Sequence, residues 1–104
     1  MSYCIVNCTA GDKKEALDIA KKLVQKRLVA CCNIIPSITS LYEWNGELCE
    51  EKEVLMIMKT ETELFEAIEA EIKKMHSYNV PELICIPITG GSRKYLDWVD
   101  KQTK

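Results

Sequence analysis

The chain has one histidine, one phenylalanine and three prolines among 104 residues, and it contains no C-x-x-C or H-x-x-x-H pattern. Preformed metal centres need three or four convergent Cys, His or carboxylate ligands, and spacing alone points to none here. No apolar run approaches the roughly 18 residues of a bilayer span, which excludes a transmembrane helix. The lysines are scattered among glutamates and the formal net charge is −2, so no basic stripe is offered to nucleic-acid phosphates. Met1-Ser2-Tyr3-Cys4-Ile5-Val6 enters an apolar run with no basic segment or small-residue cleavage site, and a cytoplasmic location is expected. Repeats, linkers and low-complexity stretches are also missing. One domain over residues 1–104 is the expectation, because two cores would each be too small.

What is present suits a soluble globular domain: 47% apolar and 29% charged residues. Of the six cysteines, Cys4, Cys31, Cys32 and Cys85 sit inside apolar stretches, where a thiol acts as a small hydrophobe. Reduced thiols are therefore expected rather than a disulfide framework.

Residues 3–8 read as a first strand, followed by Gly11 and Asp12 with turn and cap chemistry. Over 13–27, Ala16, Leu17, Ala20, Leu23 and Val24 recur at helical spacing, with Glu15 placed three residues after Asp12 as in a capping box. Residues 28–35 are β-branched and apolar, a second strand that Pro36 interrupts with a bulge or edge before 37–44 resume it. Asn45-Gly46 is the residue pair of a type I′ hairpin. A third strand returns over 47–59, and its outer stretch, Glu50-Glu51-Lys52-Glu53, reads as solvated hairpin. The hairpin arms are thus unusually long. Thr60 with Glu63 predicts a capping box for a helix striped by Leu64, Phe65, Ile68, Ile72 and Met75, with His76 at its C-terminal end. Residues 83–88 form the fourth strand, with Pro87 arguing for an edge. After Gly90-Gly91, Ser92 caps a last helix to about residue 101.

The order β-α-β-β-α-β plus a terminal helix predicts an α+β, ferredoxin-like antiparallel sheet with two helices on one face. Its strands are apolar at consecutive positions, so the second face must also be buried. A terminal helix of about three turns is too short to cover it. Self-association into a closed cyclic homo-oligomer is therefore expected, supported by Tyr42 and Trp44 near the hairpin tip.

These residues resemble the CutA divalent-cation tolerance family. The likeness is carried by Cys8-Thr9-Ala10, Leu28-Val29-Ala30-Cys31, Ile35-Pro36 and Thr39-Ser40-Leu41-Tyr42-Glu43-Trp44-Asn45-Gly46. Glu53-Val54 through Lys59-Thr60, His76-Ser77-Tyr78-Asn79-Val80-Pro81-Glu82-Leu83 and Tyr95-Leu96-Asp97-Trp98 continue it. The resemblance implies a homo-trimer packed through its sheets, with Tyr42, Trp44 and Trp98 as interface residues, an association with copper or another divalent metal, and no catalysis. Two departures stand out: Ser77 where the family usually has proline, and Met75 where some members carry a second histidine.

Given that resemblance, Cys8, Cys31 and His76 are the candidate metal ligands, since thiolates suit Cu(I) and imidazole suits Cu(II) or Zn(II). The adjacent Cys31 and Cys32 must face opposite sides of their strand. A second expectation places Lys59, Tyr78 and Glu82 in a cleft between subunits, where a small-molecule effector would bind as in PII-type signalling trimers. An acyl-phosphatase activity has little support, because Thr9-Ala10-Gly11-Asp12 offers an acidic residue where an anion-binding arginine is needed. Thr89-Gly90-Gly91-Ser92-Arg93 is a weaker anion candidate that a Gly-Gly turn and a serine cap explain equally well.

Overall fold

The computed structural model describes residues 2–103. Among them, the elements are β1 (Tyr3–Ala10), α1 (Lys13–Gln25), β2 (Cys31–Trp44), β3 (Glu47–Glu61), a 3-10 turn (Thr62–Leu64), α2 (Phe65–Met75), β4 (Leu83–Pro87) and α3 (Arg93–Gln102). The strands form one antiparallel sheet in the order β2-β3-β1-β4. Both proline-bearing strands are therefore at edges, as their missing N–H groups require.

Alternation along β1 divides the two faces. Cys4, Val6, Cys8 and Ala10 point into a core with Val54, Met56 and Met58 of β3. Ala16, Ile19, Ala20 and Leu23 of α1 close it together with Ile68 and Ile72 of α2. The opposite face carries Ile5, Asn7, Ile57, Lys59, Ile84 and Ile86, all aligned by the strand register. Only part of it meets α3, where Thr103 donates to Glu61 at 2.6 Å and the Cys31 thiol lies 3.5 Å from the Tyr95 hydroxyl. Ile84 remains 50% exposed and Ile86 41%, so an apolar stretch of sheet is left open to solvent.

The hairpin outreaches the sheet. From Glu53 toward the turn, β3 pairs with β2 alone, and the turn itself has positive φ at Asn45 (53°) and Gly46 (80°), as type I′ geometry requires. The register shifts by one residue between Ile35 and Ile38, which places the bulge at Pro36.

Several boundaries differ from expectation. Residues 28–30 precede β2 rather than belong to it: Arg27 turns the chain with φ 60°, and pairing begins at Cys31. β1 runs two residues further, to Ala10, because Val54 and Leu55 remain available as partners. The Thr60 capping box does not form. Thr60 pairs with Cys4 inside the ladder and its hydroxyl donates to the Leu28 carbonyl at 2.6 Å, so α2 starts after the 3-10 turn with no side-chain cap. Asp12 and Ser92 do cap α1 and α3, accepting from the N–H groups of Glu15 and Tyr95.

Candidate functional site

The end of β1 is where chemistry gathers. The Thr9 carbonyl accepts from His76 Nε2 at 2.7 Å and from the Cys8 thiol at 3.6 Å. A carbonyl only accepts, so Nε2 carries the proton, and Nδ1 is left to accept the Tyr78 N–H at 3.0 Å. The imidazole has no exposed surface and both of its nitrogens are engaged. Glu15 braces the same loop: its carboxylate accepts from the Ser77 N–H at 2.6 Å, the Ser77 hydroxyl at 3.1 Å and the Gly11 N–H at 3.3 Å.

Of the expected ligands, Cys8 and His76 thus converge on one oxygen atom. Cys31 lies on the other face of the sheet beside Tyr95, while its neighbour Cys32 packs on the core. Burial pushes the Cys8 thiol up to about 12, assisted by the charges of Glu82, Glu15 and Glu53. At neutral pH it is a thiol rather than the thiolate that binds metals. Among the described residues no group of three His, Cys, Asp or Glu side chains is close enough to hold a metal ion, and all six cysteines are free.

Beyond Thr9 the hairpin arm and the loop before β4 enclose a cleft of about 490 Å³. Thr9, Tyr42, Trp44, Glu51, Glu53, Tyr78, Asn79, Val80 and Glu82 line it. Tyr78 donates to Glu53 at 2.9 Å and Tyr42 to Glu51 at 2.6 Å. The bond to Glu51 raises the Tyr42 phenol to about 12; burial first, and then Glu53, push Tyr78 well above the usual phenol range. Tyr78 and Glu82 therefore share this cleft, which lies within one protomer. Lys59 does not line it. It sits opposite Ile5 and Cys31, roughly 20 Å beyond Glu53 along β3, and donates to Asn33.

Sequence reasoning missed Glu51 and Glu53 as cleft residues, and missed Glu15 as the brace of the 76–78 loop. The outer arm was expected to be solvated throughout, yet Glu53 is only 9% exposed. The signal was available: a two-residue turn at Asn45-Gly46 sets Tyr42 against Cys49 and Ser40 against Glu51. Every second residue back to Glu53 then shares the Tyr42 face. A second groove of about 730 Å³ runs between α3 and β4, where Arg93 is accompanied by Asp97 and Asp100, a mixed-charge lining.

Fold and site together define a small α+β domain with an open apolar sheet face and a polar-aromatic cleft beside it. The chain belongs to the CutA1 divalent ion tolerance protein family, whose model matches residues 4–102. It is 43% identical over 99 residues to the divalent-cation tolerance protein CutA of Thermus thermophilus, covering 95% of this chain and 96% of that one. It is 41% identical to the chloroplastic protein CutA of Arabidopsis thaliana, covering 96% of this chain and 55% of that one. The chain thus spans about half the length of that plant relative. The solved structure of the periplasmic divalent cation tolerance protein CutA from Archaeoglobus fulgidus superimposes with a TM-score of 0.95 at 39% identity, over 98% of this chain and 99% of that one. The family is named for tolerance of divalent ions and not for a reaction. No helix among the described residues is long and apolar enough to cross a membrane.

Proposed function

We propose that this chain acts as a cytoplasmic homo-trimer in divalent-cation tolerance, copper foremost, without catalysis of its own. The observation that carries the assembly is the open sheet face. Ile5, Ile57, Ile84 and Ile86 form an apolar surface across β1, β3 and β4 that the short α3 leaves uncovered. Asn7, in the middle of that face, has a side-chain oxygen buried without a hydrogen-bond partner. Tyr42, Trp44 and Trp98 are 38%, 58% and 40% exposed, which suits residues waiting for a neighbour. Sedimentation equilibrium of the purified chain is expected to give about 36 kDa, three times the 11.9 kDa protomer. A monomer at micromolar concentration would refute the assembly.

For the metal, Cys8 and His76 form one candidate pair and Cys31 a separate candidate on the interface face, where neighbouring copies would supply further ligands. Loading the first pair requires removing a proton from a strongly shielded thiol and breaking the bond from His76 to Thr9. Calorimetric titration of the reduced protein with Cu(I), Cu(II) and Zn(II) tests both. Cys31→Ser and Cys8→Ser are each expected to lower stoichiometry or affinity for Cu(I), and unchanged isotherms for both variants would remove these residues as ligands.

A second reading rests on the cleft of about 490 Å³ that contains Tyr78 and Glu82. In it the trimer is an effector-binding module, with a small molecule bound beside the subunit boundary. A saturable thermal shift with one member of a panel of nucleotides, anions and amines supports this reading, and no shift with any of them refutes it.

A further inference from the structure

Two of the six cysteines meet across β1 and β4. The register sets Cys4 opposite Pro87 and Val6 opposite Cys85. Cys85 therefore points to the same face as Val6 and Cys4, one diagonal step away from Cys4. Both pack on the core, Cys4 with no exposed surface and Cys85 half-buried. The Cys4 thiol donates to the Cys85 sulfur and accepts from the Thr62 hydroxyl. Burial first, and then the Cys85 thiol, hold Cys4 above the usual thiol range, so Cys4 keeps its proton at neutral pH. The remaining thiols are placed less favourably for one another. Cys31 and Cys32 face opposite sides of β2. Cys8 and Cys32 have β3 between them, about two strand spacings or 9–10 Å. Cys49 lies out on the hairpin arm.

A second, independent observation concerns access and freedom to move. Cys85 lines the groove of about 730 Å³ between β4 and α3, and the buried Cys4 lies behind it. β4 has only five residues, sits at the sheet edge and pairs with β1 alone among the described strands. Diagonal neighbours in a sheet have Cα atoms about 7–8 Å apart, just beyond the roughly 4.4–6.8 Å that a disulfide spans. A bond between these two residues thus needs β4 to close on β1 by about 1 Å, a shift that a strand held on one side can make. The resulting strain places such a bond among the labile, readily reduced disulfides.

We propose that Cys85 is a site of hydroperoxide oxidation and that Cys4 resolves it into a reversible disulfide joining β4 to β1. Cys85, as thiolate, attacks one oxygen of the hydroperoxide. The O–O bond breaks, and the departing hydroxide takes up the proton that Cys85 had lost and leaves as water. The Cys4 sulfur then displaces the hydroxyl of the Cys85 sulfenic acid. The S–O bond breaks, the S–S bond forms, and the Cys4 proton departs with the hydroxyl as a second water. Two thiols are thereby oxidised by two electrons and one peroxide is reduced. Two molecules of a small thiol such as glutathione restore both cysteines by successive exchange and end as their own disulfide. The modification stands apart from the metal and effector readings, since neither uses Cys4 or Cys85.

The test treats the reduced full chain with hydrogen peroxide at pH 8, blocks the remaining thiols with N-ethylmaleimide in urea, and identifies linked peptides by mass spectrometry without reduction. The expected result is a peptide joining Cys4 to Cys85 at least fivefold in excess of any other cysteine pair, with both thiols recovered on adding glutathione. The same treatment of the urea-unfolded chain should lose that preference. Cys4→Ala should strand Cys85 as a sulfenic acid, raising its dimedone labelling at least fivefold over the parent. Should Cys4→Ala fail to fold, Cys85→Ala is expected to leave Cys4 as a free thiol after peroxide, because the buried partner reacts only through Cys85. A different major pair in the folded chain, an equal preference in the unfolded chain, or Cys85 left unoxidised or carried to sulfinic acid while Cys4 stays free overturns the proposal. Oxidation of Cys4 in Cys85→Ala overturns the roles assigned to the two thiols.

Discussion

Replacing His76 by alanine tests whether the imidazole is part of the framework before it is anything else. The ring is fully buried, its Nε2 donates to the Thr9 carbonyl and its Nδ1 accepts the Tyr78 N–H. Truncation leaves both backbone groups without their partner, each at a cost of about 1–3 kcal/mol, and opens a cavity the size of the ring. A total on the order of 3–5 kcal/mol follows, which for a chain of this length lowers the melting temperature by roughly 12–25 °C. His76→Gln places an amide N–H near the position of Nε2 and keeps the bond to Thr9, losing the acceptor for Tyr78. It is expected to cost about half as much. Thermal denaturation followed by circular dichroism, at one protein concentration and pH 7, measures all three proteins. If His76→Ala melts within about 4 °C of the parent, roughly 1 kcal/mol, the ring is not structural and the hydrogen-bond reasoning fails. The outcome also governs how metal titrations are read, since a variant that loosens the 76–78 loop loses affinity for reasons unrelated to ligation.

Further outcomes follow from other features. Thr103→Val removes the hydroxyl that donates to Glu61 while keeping the side-chain volume, and should cost about 1.5–3 kcal/mol with faster tryptic cleavage within α3; unchanged cleavage would mean that this bond does not hold the helix down. Ile57→Glu puts a charge between Asn7 and Asn33 on the open sheet face, and light scattering should then report a monomer of about 12 kDa. A persisting trimer would show that another surface mediates assembly. Burial raises the Cys8 thiol from 9.0 to about 12, so the folded state holds this proton more tightly than the unfolded one. Its contribution is complete below pH 9 and is lost as pH rises toward 12. At pH 10 the parent should lose about 1.4 kcal/mol more than Cys8→Ala relative to pH 7, measured by urea denaturation; parallel losses would contradict the burial effect.

Much of the architecture was legible because strong local signals agreed with the hydrophobic pattern. Asn45-Gly46 fixed the hairpin, Pro36 its bulge, and Asp12 and Ser92 two helix starts. Consecutive apolar residues in β1 and β4 announced a second face that needs cover. Thr60 misled because the same residue type that caps helices also favours strands, and pairing with Cys4 together with the Leu28 carbonyl outweighed the local signature. The site was less legible. Cys8 and His76 are brought to a shared oxygen by tertiary folding, across a separation in sequence that no motif records. Cys31 is assigned to the other face by its neighbour's packing on the core. Glu53 looked like part of an ordinary charged run until the register set it beside Tyr42 and Tyr78.

Strand β1 occupies an inner position of the sheet although it comes first in the chain. Its neighbours are β3, reached when Cys4 meets Thr60, and β4, reached when Cys8 meets Leu83. A ribosome emitting this chain therefore releases β1 long before either neighbour exists, and the nascent segment must wait as an apolar ribbon beside a lone helix. Topologies dominated by such distant pairings close slowly. During that delay Cys4, Ile5, Val6 and Cys8 offer both flanks of one strand to any other nascent copy, which makes early synthesis the stage most exposed to misassembly.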